Sequence, residues 1–316
     1  KANYDVKKIV KELSLTNISK DLQVSWGGGE PVLMDKFEET FVELNEKLKP
    51  KINMIYSNST KYSLAIEKSL TEGRSMMTTS IDAGTVETFK KIRGIKGINK
   101  VFQNLEKYYS VAKKGIIIKY ILTESNSNEH ELSNFIKLVK KHKLFDCSFQ
   151  ISSSYKDESL SDELSSSAIN LYLKLIENKA ESVFFDYHLK PRLKNKLKEV
   201  LSNKKNIKNL NFSNINKFDP KKNLNIIVWG AGETARQVIK SSPFFEDRKV
   251  KIAFFVDSDK SKIGNFIDNI EIKSPEKIKE YNYPIMLASS IYYKKILENL
   301  KNLGVPKDRI MSSLFI

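Results

Sequence analysis

Three consecutive glycines followed by a carboxylate and a proline, Gly27 to Pro31, form the segment whose residue types most directly suggest a ligand site. Leu22, Val24 and Trp26 precede it with the alternation of a short buried strand. Because glycines destabilise strands, three in a row are expected where the backbone must come close to another group. A bare strand end followed by Glu30 could form the floor of a pocket for a small cationic ligand. A tight strand-to-helix turn with an exposed Glu30 is the alternative interpretation.

Polar side chains also follow each of the next three predicted strands, at 52–56, 75–81 and 116–122. Amphipathic helices separate these strands, an alternation typical of a parallel sheet built from βα units. Asn128 and Glu131 have the spacing of a capping box for one of these helices. Because ligands in such folds bind at the carboxyl ends of the strands, we expect one rim of polar residues there: Glu30, Asn58, Ser80, Asp82 and Asn126.

A second glycine pattern follows the apolar strand at 224–229. It has the G-x-G-x-x-[GA] spacing, with Gly230, Gly232 and Ala235 at the defining positions. The first glycine permits a tight turn, the second lets a ligand approach the backbone, and Ala235 lets helix and strand pack closely. Asp257 ends the next strand at nearly the spacing of a ribose-binding carboxylate. These residues indicate a Rossmann-like nucleotide site, or a Rossmann-like domain without a bound dinucleotide.

The composition is that of an ordinary globular chain, with 316 residues, 40% hydrophobic and 29% charged. The length predicts two domains, and we expect a cytoplasmic location without a membrane span. The formal net charge of +16 raises the possibility of a nucleic-acid partner. Only six of the 54 basic residues are arginines, the residues that fork phosphates and read bases. A solvated lysine-rich surface is therefore the favoured interpretation, and nucleic-acid binding the weaker alternative.

Cys147 is the only cysteine, so this chain can form neither an intramolecular disulfide nor a thiolate metal site. Its apolar neighbours predict a small core residue. The three histidines are isolated, and the sequence contains neither metal-ligand spacing nor a Ser-His-Asp set. We therefore expect no metal site and assign no catalytic residue.

Residues 1–202 resemble the radical S-adenosylmethionine (radical SAM) enzymes. The segment from Gly28 to Pro31 matches the family's GGEP motif, and the segment from Ser80 to Thr85 matches a stretch that recurs in its larger members. The resemblance implies a partial (β/α) TIM-like barrel that binds S-adenosylmethionine. It implies that Gly28, Gly29 and Glu30 line the methionine end of the ligand, that Ser80, Asp82 and Asn126 lie near the ribose, and that Asn58 belongs to the same rim.

The family's CxxxCxxC motif, which holds a 4Fe–4S cluster, has no counterpart here, because no cysteine precedes Cys147. We interpret the chain as an N-terminally truncated barrel from a longer parent that carries the cluster. The parent would take electrons from a donor, cleave S-adenosylmethionine reductively and abstract hydrogen from a small-molecule substrate, whereas this chain alone would be inactive. A degenerate barrel that has lost its cluster is the rival interpretation.

Residues 223–316 resemble the small nucleotide-binding domains that are attached to nucleotide-sugar modifying enzymes and sugar acyltransferases. Residues 203–222, which are polar and rich in Asn and Lys, are predicted to link this domain to the barrel. The resemblance implies a nucleotide or nucleotide-sugar ligand at Gly230, Gly232, Ala235 and Asp257, or a purely structural domain. A non-catalytic nucleotide-binding protein is therefore the alternative function.

Overall fold

A computed structural model describes residues 5–16, 22–154, 160–193, 195–197, 199, 224–233, 235, 236, 239, 250–289 and 292–311. The chain divides into two compact units, Lys1–Gln150 and Ile151–Ile316. The predicted linker at 203–222 lies outside the described residues. The proposed division into a barrel that ends at 202 and a domain that begins at 223 stays a prediction.

The first sheet has six strands in the order of the sequence: β1 (Gln23–Trp26), β2 (Ile52–Tyr56), β3 (Ser75–Ser80), β4 (Ile116–Leu122), β5 (Ser148–Ser153) and β6 (Ser182–Phe185). From β1 to β4 the neighbours pair in parallel, with Val24 opposite Asn53 and Thr79 opposite Ile118. The predicted α/β architecture of a partial barrel is confirmed.

Eight helices accompany these strands within the described residues: α1 (Val6–Ser14), α2 (Phe37–Leu48), α3 (Leu64–Thr71), α4 (Val86–Arg93), α5 (Ile98–Ala112), α6 (Glu129–Lys141), α7 (Asp162–Glu177) and α8 (Leu189–Arg192). Ser63, Thr85, Asn128 and Ser161 cap four of them by accepting a hydrogen bond from the backbone N–H three residues later. Only half of the predicted capping box forms, because Asn128 caps α6 while the Glu131 carboxylate binds elsewhere.

The core lies between the strands and the apolar faces of the helices. Ile55 and Met77 of neighbouring strands are at most 1% exposed, as are Ile66 of α3 and Phe102 of α5. Cys147 is buried, as its apolar neighbours predicted. No helix among the described residues has the length and apolar character needed to cross a bilayer.

A short polar chain crosses this core at the start of the sheet. The Trp26 indole N–H donates to Asn53 Oδ1 at 3.0 Å, and Asn53 Nδ2 donates to Asn45 Oδ1 of α2 at 2.7 Å. All three residues are buried. Since buried polar groups are costly to leave unpaired, Asn53 holds β1 and α2 to β2.

Replacing Asn53 with alanine leaves the Trp26 N–H and the Asn45 amide oxygen without this partner. We expect Asn53→Ala to lower the free energy of unfolding by about 2–3 kcal/mol, measured by urea denaturation. Asn99→Ala, at an exposed position on α5, is the matched control and should cost about 0.5 kcal/mol or less. Equal losses in the two variants would show that the polar chain contributes no specific stability.

The second sheet has the order β11-β7-β8-β10-β9, built from β7 (Leu224–Trp229), β8 (Val250–Val256), β9 (Phe266–Ile267), β10 (Ile270–Lys273) and β11 (Ile285–Leu287), with α9 (Tyr293–Asn302) after β11. β11, β7, β8 and β10 pair in parallel, and β9 pairs with β10 antiparallel. The sequence analysis missed this hairpin. Its signal is the two-residue Asp268-Asn269 turn, since both residues have positive φ, the form these residue types tolerate best.

Candidate ligand-binding edge of the first sheet

The parallel pairing of β1 to β4 brings the carboxyl ends of these strands to one edge of the sheet. The glycine segment 27–29 leaves β1 there, Ser57 and Asn58 leave β2, and Asp82 follows β3. Polar residues from separate strands therefore meet on one side of the first unit, which is the side where parallel sheets bind ligands.

The glycine segment is exposed and open. Gly28 has φ 80° and Gly29 has φ 152°, values that L side chains rarely adopt. A Cβ atom added to either glycine would find nothing within 4 Å. Glycine is therefore required here by backbone conformation rather than by crowding from the protein. The backbone of Gly28 and Gly29 remains accessible to a ligand.

Glu30 ties this segment to the end of β2. Its Oε1 atom accepts a hydrogen bond from Ser57 Oγ at 2.7 Å, and its Oε2 atom accepts one from the Asn58 backbone N–H. A carboxylate has about four acceptor positions, so these two bonds leave room for a ligand donor. The half-buried carboxylate can therefore brace the edge and still accept a hydrogen bond from a ligand ammonium.

The loop after β2 is held by its own side chains. Asn58 Oδ1 accepts hydrogen bonds from the Thr60 backbone N–H at 3.0 Å and from Thr60 Oγ1 at 2.6 Å. Ser59 has φ 54° and its Oγ atom lies 2.6 Å from Thr79 Oγ1 on β3. These bonds give the loop one defined shape, and they occupy the oxygen of the predicted Asn58 ligand group.

Asp82 and Asn126, predicted near a ribose, lie together but inside the loops that follow β3 and β4. Asp82 is 3% exposed and accepts hydrogen bonds from the Ile121 N–H at 2.6 Å and from Arg93 Nη2. Asn126 Nδ2 donates to the Asp82 carbonyl at 2.9 Å, and its Oδ1 accepts from the Thr123 N–H at 2.7 Å. Both side chains brace the β3–β4 edge. Ser80, which lies opposite Lys119, is half-buried at the end of β3.

The enclosure of Asp82 changes its proton affinity. Burial raises the pKa of Asp82 to about 6, although the Arg93 guanidinium and the Ile121 N–H act in the opposite direction. Between the pKa of an unfolded aspartate and about 6, the folded state therefore retains a proton that the unfolded state has released. Stability from this group is complete at acid pH and declines as pH rises through this window.

We expect the unfolding free energy of the wild-type chain to fall relative to that of Asp82→Asn as pH rises from about 4 to about 6. The expected size is at most about 3 kcal/mol, from 1.36 kcal/mol per pKa unit. Urea denaturation at a series of pH values measures it. Asp35→Asn, at an exposed position, should follow the wild type. A parallel pH profile for Asp82→Asn would contradict the assignment.

Glu131 is a buried carboxylate whose role the sequence analysis missed. It accepts hydrogen bonds from the Gly84 N–H at 2.7 Å, from the Thr85 N–H and hydroxyl, and from the Thr88 hydroxyl. Burial alone would raise the pKa of Glu131, but these hydrogen bonds lower it below its ordinary value. A Cβ atom on Gly84 would lie 2.0 Å from the Glu131 carbonyl oxygen, so only glycine permits this approach. Glu131 therefore fixes the start of α4 against α6.

Glu131→Gln removes the negative charge and turns one of the two acceptor oxygens into an amide donor, so either the N–H groups or the threonine hydroxyls lose their acceptor. We expect it to lower the free energy of unfolding by about 2–3 kcal/mol in urea denaturation. Glu129→Gln, at an exposed position on the same helix, controls for the loss of charge on α6. A loss no larger than that of the control would show that the four hydrogen bonds carry no net stability.

In the second unit the structure brings the predicted nucleotide residues together. Gly230 has φ 114°, and Ala235 is fully buried. Asp257 Oδ2 accepts a hydrogen bond from the Ala231 N–H at 3.0 Å, and it pairs with Lys262 at 2.9 Å. A Cβ atom on Gly232 would meet nothing within 4 Å. Asp257 thus closes the glycine turn, while the Gly232 side stays open.

The parallel sheet of βα units and the glycine–glutamate–proline segment after its first strand resemble the radical SAM enzymes. In sequence, the chain is 26% identical over 138 residues to GTP 3′,8-cyclase of Clostridium botulinum strain Okra, and to the same degree to that of strain Hall. These cyclases are radical SAM enzymes, so the predicted resemblance is confirmed. The match covers 44% of this chain and 42% of each cyclase. The chain therefore spans less than half the length of these relatives.

Two solved structures and one family model are also similar. "Native anSMEcpe with bound AdoMet" aligns with a TM-score of 0.43 and 17% identity, over 62% of this chain and 56% of that chain. A radical SAM methyltransferase from Sphaerobacter thermophilus aligns with a TM-score of 0.39 and 11% identity, over 56% of this chain and 54% of its own. Residues 222–311 match the family model described as C2185-like, N-terminal.

Proposed function

We propose that the carboxyl edge of the first sheet binds S-adenosylmethionine and that the chain is part of a radical SAM enzyme. The observation that supports this most directly is the exposed Gly28-Gly29 backbone at positive φ, beside the braced Glu30. The sequence similarity to GTP 3′,8-cyclases supports the same class of enzyme.

The chemistry of this edge suits the methionine end of the ligand. An α-ammonium group needs several acceptors, and the Gly28 and Gly29 carbonyls and the Glu30 carboxylate are of that type. A negative carboxylate also favours a ligand that carries a sulfonium charge. In this proposal Ser80 lies toward the ribose, Asn58 shapes the loop beside Glu30, and Asp82 and Asn126 act by holding the loops that surround the ligand.

The residues of this chain do not fit a 4Fe–4S cluster. Three cysteine thiolates are needed, whereas the chain has one cysteine, which is 2% exposed. No group of three His, Cys, Asp or Glu among the described residues could hold a metal ion. We therefore propose that the cluster ligands and the electron donor lie outside these 316 residues. The chain alone would bind S-adenosylmethionine without cleaving it, and the parent would act on a small-molecule substrate.

Isothermal titration of the chain with S-adenosylmethionine tests the proposal. We expect saturable binding that Glu30→Gln weakens about tenfold, the loss of one charge-assisted hydrogen bond. Glu39→Gln, at an exposed position on α2, should bind like the wild type. Gly29→Ala tests the backbone conformation separately. The added Cβ atom would have space, but the positive φ of residue 29 is strained for alanine. Absence of binding in the wild type, or equal affinity in all variants, would refute the proposal.

A second candidate function is binding of a nucleotide or nucleotide-sugar by the second unit. The supporting observation is the contact of Asp257 with the Gly230 turn, next to the open side of Gly232. Titration with a uridine diphosphate sugar tests it. Saturable binding that Asp257→Asn abolishes, with S-adenosylmethionine affinity unchanged, would support a separate site. Lack of binding would leave the domain a structural role.

A further inference from the structure

Lys190 lies on α8, the single helical turn that follows β6 in the second unit. The residue is 4% exposed, and its Nζ atom has no hydrogen-bond partner in the part of the chain that the structure describes. Lysine is among the residues most seldom buried, and when buried it is normally paired. An ammonium group without a partner at such a position therefore requires a physical reason.

Burying this amine without a partner lowers its affinity for a proton. Burial lowers the pKa of Lys190 to about 7. Taking an unpaired ammonium out of water is unfavourable. An anion beside the group would remove most of this penalty, because it would supply the missing opposite charge and hydrogen-bond acceptor.

Asp186, the acidic residue closest to Lys190 in sequence, binds the backbone of the α8 turn. Asp186 is buried, and its Oδ1 atom accepts hydrogen bonds from the backbone N–H of His188 at 3.0 Å and of Leu189 at 2.7 Å. These bonds begin the α8 turn. Asp186 therefore positions the backbone that carries Lys190, and its Oδ1 atom is used for the hydrogen bonds of this turn.

The same turn is anchored to the neighbouring strand. Arg192 Nη1 donates to Ser153 Oγ and to the Ser154 carbonyl oxygen, both at 3.0 Å. Ser153 is the last residue of β5, so these bonds hold α8 at the carboxyl ends of β5 and β6. Lys190 thus lies on a short element fixed at the edge where α/β sheets bind ligands.

We propose that Lys190 anchors a binding site for an oxyanion, a carboxylate or phosphate group of a small molecule. The site belongs to the second unit and does not depend on S-adenosylmethionine binding by the first. Because Nζ is enclosed in the ligand-free chain, the α8 turn opens locally to admit the anion. This opening has to break some of the hydrogen bonds that begin and anchor the turn, so its free-energy cost lowers the affinity for the anion.

Thermal unfolding and isothermal titration with inorganic phosphate and with succinate, at ionic strength held constant with sodium chloride, test this site. We expect saturable stabilisation of the wild type by one of the two anions, which identifies phosphate or carboxylate as the preferred group. Lys190→Met should weaken that binding about tenfold or more, the loss of one charge-assisted hydrogen bond. Lys301→Met, at an exposed position on α9, should respond like the wild type.

The same experiment includes a control for whether Lys190→Met folds. Without added anion, Lys190→Met should unfold at the same temperature as the wild type or higher, because an unpaired buried charge is replaced by an apolar side chain of similar length. Amide hydrogen exchange of residues 186–193 should slow when the anion binds the wild type. Equal anion responses in Lys190→Met and wild type, or no wild-type response beyond that to chloride, would overturn the proposal.

Discussion

Backbone N–H groups at the ends of parallel strands have lost their ladder partners, and each must find another acceptor. In the first unit carboxylates and amides supply these acceptors. Glu30 accepts from the Asn58 N–H and Asp82 from the Ile121 N–H, and Glu131 does the same for the Gly84 and Thr85 N–H groups at the start of α4. Because a buried N–H without an acceptor costs about 1–3 kcal/mol, these acidic side chains determine the shape of the whole edge.

This requirement explains why the acidic residues of the edge do not all have the same character. Asp82 and Glu131 are enclosed and have several donors each, so they act on the loops rather than on solvent. Glu30 is only half-buried and has one donor on each oxygen. It lies beside the exposed glycine segment 27–29, which has no side chains. The physical basis of the proposed S-adenosylmethionine site is therefore the combination of Glu30 with the exposed glycines.

Much of the architecture could be predicted from sequence because short-range patterns determine it. The alternation of strands and amphipathic helices predicts a parallel sheet, and the cap at Asn128 forms as its spacing indicates. The antiparallel β9–β10 hairpin was missed because β9 has only two residues, too few for a period-two pattern to emerge. The Asp268-Asn269 turn is its local signal, and it is a weaker one than a glycine-containing turn.

The sequence alone determined which residues could do chemistry: the glycines and Glu30 after β1, the polar residues after the next strands, and a single cysteine that excludes a cluster held by this chain. The tertiary structure decided how those residues are used. Glu131 lies 47 residues beyond Gly84, and Asp82 is 39 residues before Ile121, yet each pair is joined by a hydrogen bond. Residue type specifies what a side chain can accept or donate. Only the folded chain decides whether those hydrogen-bonding positions are used within the protein or remain available to a ligand.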